Sequence, residues 1–97
     1  MKPESQRLSI AAVHGWKYNG ERGRESVWTD GKKEVNFAGL PDYLFDLNAM
    51  QSAVLAQSFQ FQAEFNRQMS QRSGYRHQHT AAEWGYTFLH IAGKWVE

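Results

Sequence analysis

The chain has 97 residues, a formal net charge of +1 and no cysteine. This length predicts one domain, residues 1–97, with one modest core. The lack of cysteine excludes disulfide bonds, cysteine-based zinc sites and thiol catalysis, and the near-neutral charge argues against a long nucleic acid as partner. No apolar run approaches the roughly 20 residues of a membrane span, and the N-terminus lacks the apolar core of a signal peptide, so we expect an intracellular protein without membrane contact.

A helix over residues 3–14 is predicted at the start of the chain. Pro3 has no amide hydrogen to leave unpaired at a first helical position, and Gly15 suits the left-handed conformation that ends many helices. Between these two residues, apolar side chains recur at helical spacing, namely Leu8, Ala11 and Ala12 with Ile10 and Val13 beside them.

Short β-favouring segments follow, separated by turn residues. Residues 16–18 alternate as a strand does, the Asn-Gly pair at 19–20 is a turn signal, and the charged residues 21–25 are expected to form a loop. Residues 27–37 predict a hairpin, because their Asp-Gly pair at 30–31 is the strongest hairpin-turn signal in the chain. The returning strand is expected to begin directly after that pair.

Two helices are predicted in the middle of the chain. The first is expected to start near Asp42, after a Gly-Leu-Pro break, with one apolar stripe of Tyr43, Leu47, Met50 and Val54. Residues 58–69 fit either structure, since phenylalanine alternates with polar residues as in a strand, yet positions 61, 65 and 69 have helical spacing. We predict a helix, because Gln, Glu, Ala and Met favour it and no turn residue precedes it.

The last helix is the best specified. Thr80 and Glu83 predict a capping box, and Gly93 predicts the helix end. Gly85 inside the helix costs about 1 kcal/mol relative to Ala, which indicates that another backbone packs closely against it. With a short strand at residues 75–78, the prediction is an α+β fold, a small antiparallel sheet packed with about four helices in the order α-β-β-α-α-β-α. The apolar stripe of this helix is Trp84, Phe88, Ile91 and Trp95.

Two groups of basic and aromatic residues are candidates for ligand binding. Guanidinium groups hold phosphate in a fork and aromatic rings stack on bases, so such groups suit a nucleotide or a short strand. Lys32 and Lys33 belong to the first group. The alternative is a solvated hairpin with buried tryptophans. The candidate residues are Trp16, Tyr18, Arg22, Arg24, Trp28, Arg72, Tyr75, Arg76, His77 and His79.

No residue pattern indicates catalysis. His77 and His79 would point the same way on a strand and are the candidate metal ligands, but no cysteine or carboxylate stands at a telling spacing. Asp42 and Asp46 lie one turn apart, and their place at a helix start explains both. The chain has no Walker loop, no Gly-x-Gly-x-x-Gly and no nucleophile motif. It is therefore predicted to be a binding protein without metal or cofactor rather than an enzyme.

Three segments of the chain resemble small proteins encoded by tailed phages and prophages, in the group described as having a phage α-β-α sandwich domain. They are the Gly-Trp pair at 15–16, LPDYLFDLNAM at 40–50 and TAAEWGYTFLHIAGKW at 80–95. Phages encode compact proteins of this size that sequester nucleotide messengers of bacterial immunity, such as cyclic oligonucleotides and cyclic ADP-ribose isomers. The resemblance thus implies a nucleotide-type ligand, bound without turnover in the cytoplasm of an infected bacterium.

The resemblance also implies a homo-oligomer, because such ligand sites are commonly shared between subunits. This chain departs from the group by added apolar surface on two helices, at Phe45, Trp84 and Tyr86, which are the expected contact residues. Three other interpretations stay open. They are a phage inhibitor that binds a host protein through exposed aromatics, a nucleic-acid accessory protein, and a metal-dependent hydrolase.

Overall fold

Four α-helices and a three-stranded antiparallel sheet make up residues 1–72 and 79–97, the part of the chain that this computed structural model describes. The α+β class is confirmed, with three strands before the second helix instead of two. The strand predicted at 75–78 lies outside the described residues. The elements are α1 (Pro3–His14), β1 (Lys17–Arg22), β2 (Glu25–Thr29), β3 (Glu34–Asn36), a 3-10 turn (Phe37–Gly39), α2 (Leu47–Leu55), α3 (Phe59–Arg72) and α4 (Ala81–Ile91).

Helix α1 has the predicted bounds and delivers the chain directly to the sheet. Gly15 adopts a φ of 120°, and the amide of Trp16 donates to the carbonyl of Ala11 at 2.9 Å. This reversal pairs the last amides with carbonyls that the helix leaves free. It also places Trp16 beside the C-terminal end of α1.

The turn predicted at residues 19–20 is wrong, and the loop predicted at 21–25 is shorter than expected. Strand β1 continues to Arg22, and its register against β2 shifts between Tyr18 and Glu21, which is a β-bulge. Gly20 supplies the positive φ inside the bulge. The chain turns instead at Gly23 and Arg24, where a positive φ at the first turn residue alone is the type II′ pattern.

The second hairpin turn is where the sequence predicts it, after strand β2. The carboxylate of Asp30 accepts from the amides of Lys32 and Lys33 at 2.9 and 3.0 Å. These two hydrogen bonds hold the pKa of Asp30 below its ordinary value. The returning strand is shorter than predicted, because Asn36 caps the 3-10 turn by accepting from the amide of Gly39 at 2.9 Å.

Helix α2 begins five residues later than predicted, at Leu47. The carboxylate of Asp46 accepts from the amide of Asn48 at 2.9 Å, which makes Asp46 the N-cap. Asp42 lies in a separate turn, in which its carbonyl accepts from the amide of Asp46 at 2.8 Å. The predicted stripe is therefore broken, since Tyr43 is buried and Leu47 is exposed.

Helices α3 and α4 confirm the two later helix predictions. Phe65 and Met69 of α3 are buried, as helical spacing requires. In α4, the Thr80 hydroxyl accepts from the amide of Glu83 at 3.2 Å, and Gly93 ends the helix with a φ of 70°. None of the helices in residues 1–72 and 79–97 combines the length and apolar character needed to cross a bilayer.

Gly85 is tightly packed, as predicted, but its neighbours are side chains and not a backbone. A Cβ atom at this position would lie 3.0 Å from Leu44 Cδ2 and 3.1 Å from Ile10 Cδ1. Both contacts are closer than an ordinary van der Waals separation, so the glycine lets α4 approach α1 and the segment before α2. The result is one apolar core shared by the four helices. Trp28 and Val35 of the sheet, and Phe37 of the 3-10 turn, pack against this core.

Thr87 leaves a polar atom unpaired in this core. Its side chain is fully buried, and its hydroxyl has no hydrogen-bond partner among the described residues. Thr87→Val keeps the shape and removes the unpaired group, so we expect it to raise the free energy of unfolding by about 1 kcal/mol. The matched control is Thr29→Val, which removes a hydroxyl that donates to the Lys33 carbonyl at 2.9 Å and should lower stability. Urea denaturation measures both, and a destabilised Thr87→Val would contradict the expectation.

Candidate ligand-binding cleft

A cleft of about 450 Å³ opens between the turn of the second hairpin and helices α1 and α2. We call it the basic cleft. Its volume lies within the range of roughly 300–1,000 Å³ that is typical of small-molecule sites. The residues that line it come from four separate segments and are His14, Trp16, Asp30, Lys32, Lys33, Pro41, Ala49 and Ser52.

Local structure explains why these segments meet. The reversal at the end of α1 brings His14 and Trp16 to one side of the cleft, and the Asp30 turn presents two lysines on the other. Arg7 of α1 secures the third segment, because its Nε donates to the Pro41 carbonyl at 3.0 Å and its Nη2 donates to the Leu40 carbonyl. The fourth segment is the face of α2 that carries small side chains.

Tyr43 ties the wall of the cleft together from beneath. Its side chain is fully buried, and its hydroxyl lies 2.7 Å from His14 Nδ1, which is a hydrogen-bond distance. Burial raises the pKa of Tyr43 to about 12, against the smaller opposing effects of the nearby Trp16 side chain and the Arg7 guanidinium. The hydroxyl is therefore protonated at neutral pH, and its hydrogen bond joins the Tyr43 and His14 rings.

The direction of this hydrogen bond assigns the tautomer of His14. The Tyr43 hydroxyl is protonated and buried, so its hydrogen needs an acceptor. His14 Nδ1 is the acceptor within reach among the described residues. Nδ1 is therefore unprotonated, and neutral His14 carries its hydrogen on Nε2.

Burial also lowers the pKa of His14, while the Asp30 carboxylate nearby raises it by a smaller amount. Neutral His14 thus prevails at neutral pH. As the pH falls through about 6.5, the unfolded chain takes up this proton before the folded chain does, and the folded state loses stability. We expect wild type to lose more stability than His14→Gln between about pH 7.5 and about pH 5.5. Urea midpoints measure this, and equal losses would contradict it.

The electrostatics of the cleft favour an anion. Lys32 and Lys33 contribute two positive charges, and Asp30 contributes one negative charge whose oxygen is already engaged by backbone amides. The ammonium of Lys33 lies 5.9 Å from the centroid of the Trp16 ring, a cation–π distance. The cleft therefore combines cations, an N–H donor and an indole ring.

Only part of the first predicted group lies in this cleft. Trp16, Lys32 and Lys33 are brought together. Tyr18 and Trp28 form an edge-to-face pair, with ring centroids 5.7 Å apart, on the sheet and outside the cleft lining. Trp28 also packs on Phe37 and is half-buried, so the interpretation of a hairpin with packed aromatics describes this pair.

The predicted arginines of the first group are not placed with Trp16. Arg22 is the last residue of β1 and does not line the basic cleft. Its guanidinium is paired instead with the Glu34 carboxylate of β3 at 2.8 Å. Arg24 is exposed in the turn beyond it. The lysines of the second hairpin turn therefore supply the cations that were expected from these arginines.

The second predicted group is described only at His79. Tyr75, Arg76 and His77, and the side chain of Arg72, lie outside the described part of the chain. His79 is buried, and its Nε2 lies 3.0 Å from the Met69 carbonyl and its Nδ1 3.0 Å from Glu83 Oε2.

These contacts make His79 a link between α3 and α4. The pKa of Glu83 is lowered, first by this histidine and then by hydrogen bonds from Thr80. His79 also borders a depression of about 400 Å³ with Phe65 and Trp84. The described residues contain no cluster of three His, Asp or Glu side chains that could hold a metal ion.

His14 and Tyr43 are the site residues that sequence reasoning missed. Tyr43 was assigned to a helix stripe, which predicted its burial but not its hydrogen bond. His14 stands directly before the glycine that ends α1, and Trp16 directly follows that glycine. This order could have predicted that His14 and Trp16 lie close together, because a chain reversal at the glycine brings the residues on its two sides to neighbouring surfaces.

No protein-family model, curated protein or solved structure matches this chain at a significant level. The resemblance to the phage α-β-α sandwich group therefore stays a prediction from three sequence segments.

Proposed function

We propose that this protein binds a small anionic ligand with a flat ring, of nucleotide type, in the basic cleft. The observation that supports this proposal most directly is the convergence of two lysines and the His14 N–H around Trp16. Lysine ammonium groups bind phosphate as compact charges, and indole rings stack on bases. The ligand phosphate would lie against the lysines and the base against the indole.

Trp16 and Lys33 act in sequence in this proposal. The indole is largely buried, and the Lys33 ammonium lies 5.9 Å from the centroid of its ring. A base that stacks on the indole displaces the ammonium from the ring, and the flexible lysine stem lets the same ammonium follow the phosphate. The His14 Nε2–H adds a neutral donor at the edge of the site.

Binding without turnover is the mode we propose, although a serine, a histidine and an aspartate line the same cleft. In a catalytic triad, the histidine must accept the serine proton on Nε2. Here the Tyr43 hydrogen bond occupies Nδ1 and leaves the hydrogen on Nε2. Ser52 instead donates to the carbonyl of Asn48 at 3.0 Å. Both contacts oppose nucleophilic catalysis.

The ligand class we propose is a nucleotide messenger of bacterial immunity, either a cyclic oligonucleotide or a cyclic ADP-ribose isomer. The resemblance to phage proteins is the support for this class, and it also suggests the cytoplasm of an infected bacterium as the place of action. Sequestration lowers the free messenger concentration by mass action. It requires an affinity that competes with the host sensor.

Titration calorimetry with a panel of cyclic dinucleotides, cyclic trinucleotides and cyclic ADP-ribose isomers tests the proposal. We expect at least one ligand to bind with a Kd below about 1 μM, which corresponds to roughly 8 kcal/mol. Chromatography after incubation should recover that ligand unchanged. The absence of any binding tighter than about 1 μM across the panel would refute sequestration, and a modified ligand would identify an enzyme instead.

A further inference from the structure

Helix α2 has one face that neither the core nor the basic cleft uses. Leu47, Gln51 and Leu55 lie at successive turns of this outer face, and the two leucines are 43% and 61% exposed. At 100° per residue, Gln51 at the centre of the outer face stands about 160° around the helix from Ala49 and about 100° from Ser52, the two α2 residues that line the cleft. A partner bound to the outer face would leave the cleft open.

The outer face lies in a long uncharged stretch. Residues 47–63 contain no Asp, Glu, Lys or Arg, although these residues make up 22% of the chain. Phe45 stands before the helix and Phe59 after it, and they are 83% and 85% exposed. Solvated helix faces normally carry charge, whereas the centres of protein interfaces are depleted in it.

We infer that the outer face of α2 binds a second copy of this chain, with the two α2 helices antiparallel across a two-fold axis at Gln51. A two-fold interface must be self-complementary, with each residue meeting the counterpart that meets it in return. The outer face satisfies this condition, because its leucines are spaced four residues to either side of Gln51. Leu47 then meets the partner's Leu55, Leu55 meets the partner's Leu47, and the two Gln51 amides face each other.

The exposed area is sufficient for such a dimer. The proposed contact extends beyond the outer face to Phe45 and Phe59, which precede and follow α2 and are exposed. Each phenylalanine adds roughly 150 Å² of apolar surface per protomer. Together with the leucines and the helix surface between them, the proposed contact passes the roughly 1,000 Å² expected of a specific interface. A host protein would need no symmetry about Gln51, so the symmetric pattern favours a second copy as the occupant.

Charge placed on the axis gives a direct test, read by sedimentation velocity at about 10–100 μM protein. Wild type is expected to sediment as a dimer. Gln51→Glu and Gln51→Lys each bring two like charges together at the axis, so each variant alone should show a dimer Kd raised about tenfold or more. An equimolar mixture of the two variants should recover dimers, because it pairs opposite charges at the same point.

The matched control is Ser5→Glu, which adds the same charge to an exposed position of α1. This variant should dimerise as wild type does. Gln51 is exposed, so circular dichroism should show that the charged variants remain folded. Three results would each overturn the inference: a wild-type protein that is monomeric at about 100 μM, charged variants that dimerise as tightly as wild type, or a mixture that fails to recover dimers.

Discussion

Tyr43→Phe is expected to lower the free energy of unfolding by about 2–3 kcal/mol, although it removes a single oxygen atom. That oxygen belongs to a fully buried side chain and donates to His14 Nδ1 at 2.7 Å, which joins α1 to the segment before α2. The variant loses this hydrogen bond and leaves the half-buried Nδ1 of His14 without its donor. Urea denaturation at neutral pH measures the effect.

Tyr18→Phe is the matched control, because it removes the same atom from a side chain that is 58% exposed. We expect this control to change stability by less than about 0.5 kcal/mol. A double variant gives a second test. His14→Phe combined with Tyr43→Phe should cost less than the sum of the two single changes, since each single change orphans a group that the double variant removes. Equal effects at Tyr43 and Tyr18, or strict additivity at His14 and Tyr43, would contradict the hydrogen bond between them.

The elements that were predicted with the right bounds are those whose ends are set by local hydrogen bonds. Gly15 ends α1, Asp30 turns the second hairpin, and Thr80 caps α4, each through contacts within a few residues. Such contacts form in almost any tertiary surrounding, so residue type and spacing predict them.

The errors arise where two local signals compete. The Asn-Gly pair at 19–20 satisfies its positive φ inside a bulge, because Gly23 and Arg24 provide a second turn that matches the register of β1 against β2. Likewise, Asp42 and Asp46 are both suitable helix caps. The buried position of Tyr43 requires a turn between them, so the helix begins at the later one.

Long-range geometry explains which site residues were grouped correctly. Arg22 is near Trp16 in sequence, but it stands at the other end of β1 and its guanidinium is paired with Glu34. Lys33 is far from Trp16 in sequence, but the pairing of Lys17 with Thr29 returns the second hairpin turn to the start of β1. The grouping of cations with aromatics was therefore right for the lysines. For the arginines it required a strand register that the sequence alone does not specify.

The Lys32→Gln/Lys33→Gln double variant is expected to weaken binding of the nucleotide-type ligand about 100-fold. Each lysine–phosphate contact is a charge-assisted hydrogen bond worth about 1.5 kcal/mol, and two such contacts correspond to roughly two orders of magnitude in Kd. The fold should survive the change, because the turn is held by the backbone amides of both lysines and not by their side chains. Calorimetry with the ligand identified from the panel measures the loss.

Arg22→Gln/Arg24→Gln is the matched control for this charge loss, because it also removes two positive charges from an exposed hairpin turn. Neither arginine lines the basic cleft, and Arg22 is already paired with Glu34. We therefore expect the Kd of this control to stay within about threefold of wild type, because exposed charges without a direct ligand contact are largely screened at physiological salt. The two variants therefore separate a local phosphate contact from a general effect of net charge. Equal losses in both variants would indicate the general effect, and a larger loss in the arginine variant would move the site to the first hairpin turn and overturn the assignment of the basic cleft.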